Sequence, residues 1–398
     1  MMMSDHNAAA NNHSNVVINL PVTPLHFPPR AEYFTGCGEQ LTQLINDLQP
    51  HKVVTLCGVG GIGKTALAAE AVYTLVGEEN KPPKNFPDGV VFYSFYGNPS
   101  VESAMEHIAF SCGVETKGLD PQQAVHKALN AKNVLIVLDG VENTDDFDQV
   151  IKVLSALSCG VLVTTRNKQD TKTNRQDMQP LEIEDAEALL AKWAAGQIDN
   201  KTIATEICEE IGRLPLAVQL VGQYLSETND STSNYFQWLK ENTLEALEPD
   251  KAEHCYQLIR ILLTRSVAQL DDAGRQALPI FGCLAMKPVG LSVLAESLGL
   301  SHIESKKVMK SLINFGLVRL NNDHYEVAHA LIHTYTREQI PLSKDVFLHL
   351  ADWYENFIEL ESEKELNVYH ILDSQQAHIL SLIAQAHQRQ LWQVGIVV

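Results

Sequence analysis

The 398-residue chain is long enough for about two to four domains, and 45% hydrophobic residues give each of them material for a core. Thirty Lys and Arg against 49 Asp and Glu leave a formal charge of -19, which repels nucleic acid and anionic membranes over most of the surface. No apolar run reaches the roughly eighteen residues of a membrane span, the N-terminus "MMMSDHNAAANNHSN" lacks a signal core, and the seven cysteines form no C-x-x-C pair; the expectation is a cytoplasmic protein without disulfides or zinc.

Residues 1–30, Asn-rich and then Pro-rich up to "FPPR", read as a disordered arm. Over 31–183 the apolar runs "KVVTLCG", "GVVFYSF", "NVLIVLDG", "GVLVTTR" and "MQPLEI" alternate with helical patterns, as in a parallel sheet covered on both faces. Over 184–253 the spacing turns helical, with Ile203, Ile207 and Ile211 on one face and Gly212 as the stop, which predicts a small helical domain. Over 254–340, "SHIESKKVMKSLINFG" opens on a capping box, Ser301 with Glu304, and "LVRL", "NND", "HYEV" follow as strand, turn and strand, the pattern of a winged helix. Residues 341–398 are helical again and stop in mid-pattern at "WQVGIVV", so the natural chain is expected to continue, this segment being the start of a sensor or repeat domain. The fold class is therefore multidomain α/β plus α.

The stretch "GVGGIGKT" fits G-x-x-x-x-G-K-[ST] and lies between an apolar run and a helix-forming segment, as a phosphate loop requires. The backbone of Gly58, Val59, Gly60, Gly61, Ile62 and Gly63, together with Ala66 in the first turn of the helix, would cradle the phosphates. Lys64 would reach the β and γ oxygens and Thr65 would bind magnesium. Asp139 ends the buried run "NVLIVLDG", where ligands of open sheets collect, and is the second magnesium ligand. Glu142 is either the base that orients the attacking water or a solvated loop carboxylate, and Arg166, after "VLVTT", is either a γ-phosphate sensor or a surface arginine. "NKQD", residues 167–170, matches the guanine-reading tetrad of GTPases. Glu142, however, stands where a GTPase needs glycine, and ATP is the expected nucleotide.

The order "GVGGIGKT", "LIVLDGVE", "VLVTTRN", "GRLPLAV" and "AHALIHTYTRE" resembles the NB-ARC group of STAND nucleotide switches over about residues 31–340. The resemblance implies that Tyr33 and Phe34, in "YFTGCGEQLTQL", and Pro215 contact the adenine, although Cys37 stands where an arginine is usual. It implies that His329 contacts the β-phosphate of ADP in a closed form, with Ala330 replacing the usual aspartate. Gly140 replaces the acidic residue that commonly follows the first one, and "DGVE" looks more like the related NACHT pattern. A switch of this kind is closed with ADP, assembles into a homo-oligomeric ring on exchange for ATP, hydrolyses slowly and answers to trigger and effector proteins, here in defence or cell-fate signalling. Two other classes compete: a winged-helix DNA-binding regulator carried by Lys306, Lys307 and Lys310, and a turnover enzyme such as a kinase or GTPase.

Overall fold

The computed structural model describes residues 23–144, 146–170, 174–243, 252–362 and 368–390. The elements of the first part are α1 (Gly38–Asp47), β1 (Val53–Cys57), α2 (Lys64–Val76), β2 (Val90–Ser94), α3 (Val101–Ser111), α4 (Pro121–Leu129), β3 (Leu135–Asp139), α5 (Phe147–Ser155), β4 (Gly160–Thr165) and β5 (Asn174–Asp177). The five strands are all parallel, in the order β2-β3-β4-β1-β5.

Both faces of this sheet are buried, which is why its central strands read as continuous apolar runs rather than as alternation. Leu135 and Val137 of β3 pack into one core with Leu44 of α1 and Leu67 of α2, whereas Ile136 and Leu138 pack into a second core with Ile108 of α3, Val125 of α4 and Val153 of α5. The fifth strand is not where the apolar pattern put it. It is the polar stretch Asn174–Asp177 at the sheet edge, and "MQPLEI" instead forms the exit from the sheet: Met178 donates one more ladder bond to Cys57 O, at 2.8 Å, before Pro180 and the start of the next helix at Ile183.

The expected arm divides. Residues 1–22 lie outside the described residues, but residues 23–30 are ordered along the sheet. Leu25 bridges Val90 in parallel, His26 N–H donates to Val90 O at 2.9 Å, Phe27 stacks on Tyr73, and Arg30 pairs with Glu70.

Four helices follow, α6 (Ile183–Trp193), α7 (Lys201–Glu210), α8 (Pro215–Glu227) and α9 (Thr232–Asn242). Gly212, at φ 66°, turns the chain out of α7, and the Arg213 N–H reaches back to Cys208 O at 2.9 Å to satisfy a terminal carbonyl. Next come α10 (Ala252–Ala268), α11 (Asp272–Cys283), α12 (Leu291–Leu298), α13 (His302–Asn314), the antiparallel hairpin β6 (Val318–Asn321) and β7 (His324–Val327), and α14 (Ala330–Gln339). The capping box of Ser301 and Glu304 is present at α13, and Asn322 and Asp323 both take positive φ in the two-residue turn, as a primed hairpin turn demands. α10 is held against the preceding helices by Arg265, whose guanidinium lies over the rings of Tyr224, Tyr235 and Trp238 and bonds Asp230 at 2.6 Å. The described chain ends in a helix pair, α15 (Lys344–Ser362) and α16 (Val368–Gln388). No helix among the described residues is long and apolar enough to cross a membrane.

Candidate functional site

β4 lies between β1 and β3, so the loop after β1 and the carboxylate ending β3 project from the same C-terminal edge of the sheet with one strand between them. Gly61 and Gly63 have φ of +81° and +101°, which an L side chain rarely adopts, and they turn the loop into the N-terminus of α2. Lys64 is 6% exposed, and its ammonium bonds only neutral partners, Gly58 O at 2.9 Å and Val59 O at 3.1 Å. Burial pushes its pKa down to about 8, against the pull of nearby Glu142 and Asp139. A buried cation with carbonyl partners alone, beside a helix N-terminus, is a site that an anion completes.

Asp139 presents the opposite need. It is 4% exposed, and its Oδ1 accepts from Thr65 Oγ1 at 2.7 Å and Thr164 Oγ1 at 2.6 Å. Burial raises its pKa, while these two hydroxyls and Lys64 act to lower it. The two residues expected to share magnesium, Thr65 and Asp139, thus meet directly, and their oxygens suit a hard cation that keeps waters and phosphate in its remaining positions.

Glu142 follows Asp139 in a 3-10 turn, Val141–Asn143, and is not a solvated loop carboxylate: its side chain is 14% exposed. Tyr96 donates to its Oε1 at 2.8 Å, the Arg166 backbone N–H donates to its Oε2 at 3.2 Å, and the Arg166 Nε sits 3.1 Å from Oε1, close as an ion pair though not aligned as a hydrogen bond. Arg166 is therefore no free surface arginine, and its salt-bridge partner is the base candidate Glu142.

Two later segments close over the loop. Pro215, at the first position of α8, faces Gly63, and the Leu216 N–H donates to Gly61 O at 3.2 Å. From α14, Leu331 packs so tightly on Gly60 that a Cβ there would meet its Cδ1 at 3.0 Å. His329 caps α14, its Nδ1 accepting from the Leu331 N–H at 3.1 Å, so in the neutral ring the proton sits on Nε2. Burial, then the cations Arg166 and Lys64, push its pKa down to about 3. Tyr33 packs edge-on against Trp193 at 4.6 Å between ring centres, and Phe34 is half-buried against the main core. Of "NKQD", Asn167 is spent locally, its side chain accepting from the Gln169 N–H at 3.0 Å.

Sequence reasoning missed Tyr96, Thr164, Met178 and Leu331. Only Thr164 carried a signal: a hydroxyl inside a fully buried strand needs a partner, and its partners are Asp139 and the Gly140 N–H, which it accepts at 3.0 Å.

A strand inserted between the loop strand and the acidic strand, with lysine, hydroxyl and carboxylate gathered at one edge, defines a P-loop NTPase, and the site at the loop is nucleotide-binding. Residues 37–197 match the NB-ARC domain family. That match covers the parallel sheet and its phosphate loop, so this part of the chain is similar to NB-ARC domains. The chain is 22% identical over 356 residues to the regulatory protein AfsR of Streptomyces griseus, covering 84% of this chain and 35% of that one. It is 26% identical over 248 residues to a putative disease resistance protein of Arabidopsis thaliana, covering 54% and 28%. The chain thus spans about a third of the length of these relatives. Among solved structures, a signal transduction ATPase with numerous domains and a tetratricopeptide repeat sensor, from Pyrococcus horikoshii, shares the fold with a TM-score of 0.55 at 15% identity, over 92% of this chain and 56% of that one.

Proposed function

We propose that this protein is an ATP/ADP-dependent signalling switch whose closed form holds ADP between the phosphate loop and the winged helix. The observation that carries the reading is the seating of α14 on the loop, with Leu331 against Gly60 and His329 capping the same helix. In this reading residues 31–183 bind the nucleotide, 184–253 form the helical domain, 254–340 the winged helix that closes on it, and 341–398 the start of a sensor region. Lys64 leaves the carbonyls of Gly58 and Val59 for phosphate oxygens, Thr65 and Asp139 hold magnesium, and Tyr33, Phe34 and Pro215 line the base. Glu142 is the base for a slow hydrolysis that resets the switch, and Arg166 senses the γ-phosphate. Exchange for ATP opens the winged helix and exposes surfaces for a homo-oligomeric ring in the cytoplasm, with defence or cell-fate signalling as the output. The DNA-binding reading gains little: Lys306, Lys307 and Lys310 are exposed on α13, but they are three charges on a chain of net charge -19.

His329 is the latch, because its contact exists in the closed form alone, and only differential contacts move an equilibrium. A hydrogen bond to a charged group contributes roughly 1.5 to 3 kcal/mol, so His329→Ala is expected to speed ADP dissociation about ten- to a hundred-fold. The check is the off-rate of a fluorescent ADP analogue; equal off-rates in wild type and variant would leave His329 a mere helix cap.

A further inference from the structure

Both carboxylate oxygens of Glu142 are engaged by its own protein. Its Oε1 takes the Tyr96 hydroxyl at 2.8 Å and faces Arg166 Nε at 3.1 Å, while Oε2 takes the Arg166 N–H at 3.2 Å. The same phenol oxygen lies 3.4 Å from Arg166 Nη2, and the guanidinium stands 5.4 Å from the centre of the Tyr96 ring. Three groups therefore form one closed cluster, and a side chain 14% exposed has little room to receive a water as well. Tyr96 is itself fixed by shape. Its ring lies over Gly140, where a Cβ would come within 2.5 Å of Cε2, so no larger side chain at that place could coexist with the ring in this position. Burial also holds the phenol pKa well above its ordinary value, which keeps Tyr96 a donor at any working pH.

We propose that Tyr96 is a positioning residue that, together with Arg166, withholds Glu142 from hydrolysis in the closed conformation, and that Glu142 becomes available as a base only when Arg166 leaves it. This rests on the reading of Glu142 as the base. The switch then carries its own brake: the arginine that senses the γ-phosphate is the one that ties down the carboxylate, so sensing and release are one movement.

Tyr96→Phe removes the hydroxyl and keeps the ring on Gly140. In the nucleotide-free protein, coupling of the Glu142 carboxyl to an amine by a water-soluble carbodiimide, read by peptide mass spectrometry, is expected to quicken about tenfold in Y96F. Labelling of the buried Asp139 should not change, which reports an intact fold. Single-turnover ATP hydrolysis should rise by a similar factor in Y96F and not at all when Y96F is added to E142Q. Unchanged labelling, slower hydrolysis in Y96F, or the same gain in the E142Q background would each overturn the role of Tyr96. Wild-type hydrolysis in E142Q alone would instead remove Glu142 as the base, a failure that the labelling result distinguishes.

Discussion

Replacing Lys64 by alanine is expected to abolish nucleotide binding while leaving the empty protein as stable as before. The two effects have different origins. The ammonium is 6% exposed and meets only carbonyls, so without an anion it is a buried charge poorly compensated, and its removal relieves that cost. With nucleotide the same group supplies a charge-assisted contact of roughly 1.5 to 3 kcal/mol, and the loop loses its one cation facing the phosphates, so affinity falls about ten- to a hundred-fold, enough to empty the site on purification. Thermal melting separates the two: K64A should melt at or above the wild type when both are nucleotide-free, and should show none of the upward shift that added ADP gives the wild type. A K64A protein that purified with full nucleotide occupancy would refute the assignment of the phosphate loop.

Glu142→Gln is expected to keep ATP binding and slow hydrolysis by about 100-fold or more, since a positioned general base contributes that much. The amide keeps a carbonyl oxygen for the Tyr96 hydroxyl at the same place, but it gives up the charge that pairs with Arg166 and cannot take a proton from water. E142Q should therefore accumulate in the ATP-bound, assembled form. Single-turnover hydrolysis and particle mass with ATP check both halves, and unchanged hydrolysis would take Glu142 out of the mechanism.

What could be read from the sequence was local. Gly61, Gly63, Lys64 and Thr65 announce their purpose because the loop's function depends on backbone angles and adjacent side chains. The Ser301 and Glu304 capping box and the Asn322–Asp323 turn were legible for the same reason. What failed to show was tertiary. β5 carries a polar sequence because it lies at the sheet edge, so its burial pattern gives no apolar signal. Tyr96 meets Glu142 from 46 positions away and Arg166 from 70, distances over which no periodicity speaks. Resemblance alone singled out His329, and the packing of Leu331 on Gly60 supplies a physical reason to look at it again.

The central claim is that the nucleotide decides between a closed monomer and an open assembly. The most direct measurement is the mass and radius of the nucleotide-exchanged protein, by light scattering with small-angle X-ray scattering, in ADP and in a non-hydrolysable ATP analogue. The account predicts a compact monomer with ADP and a larger, symmetric oligomer with the ATP analogue. The same mass and radius in both nucleotides, with binding of each confirmed, would contradict it.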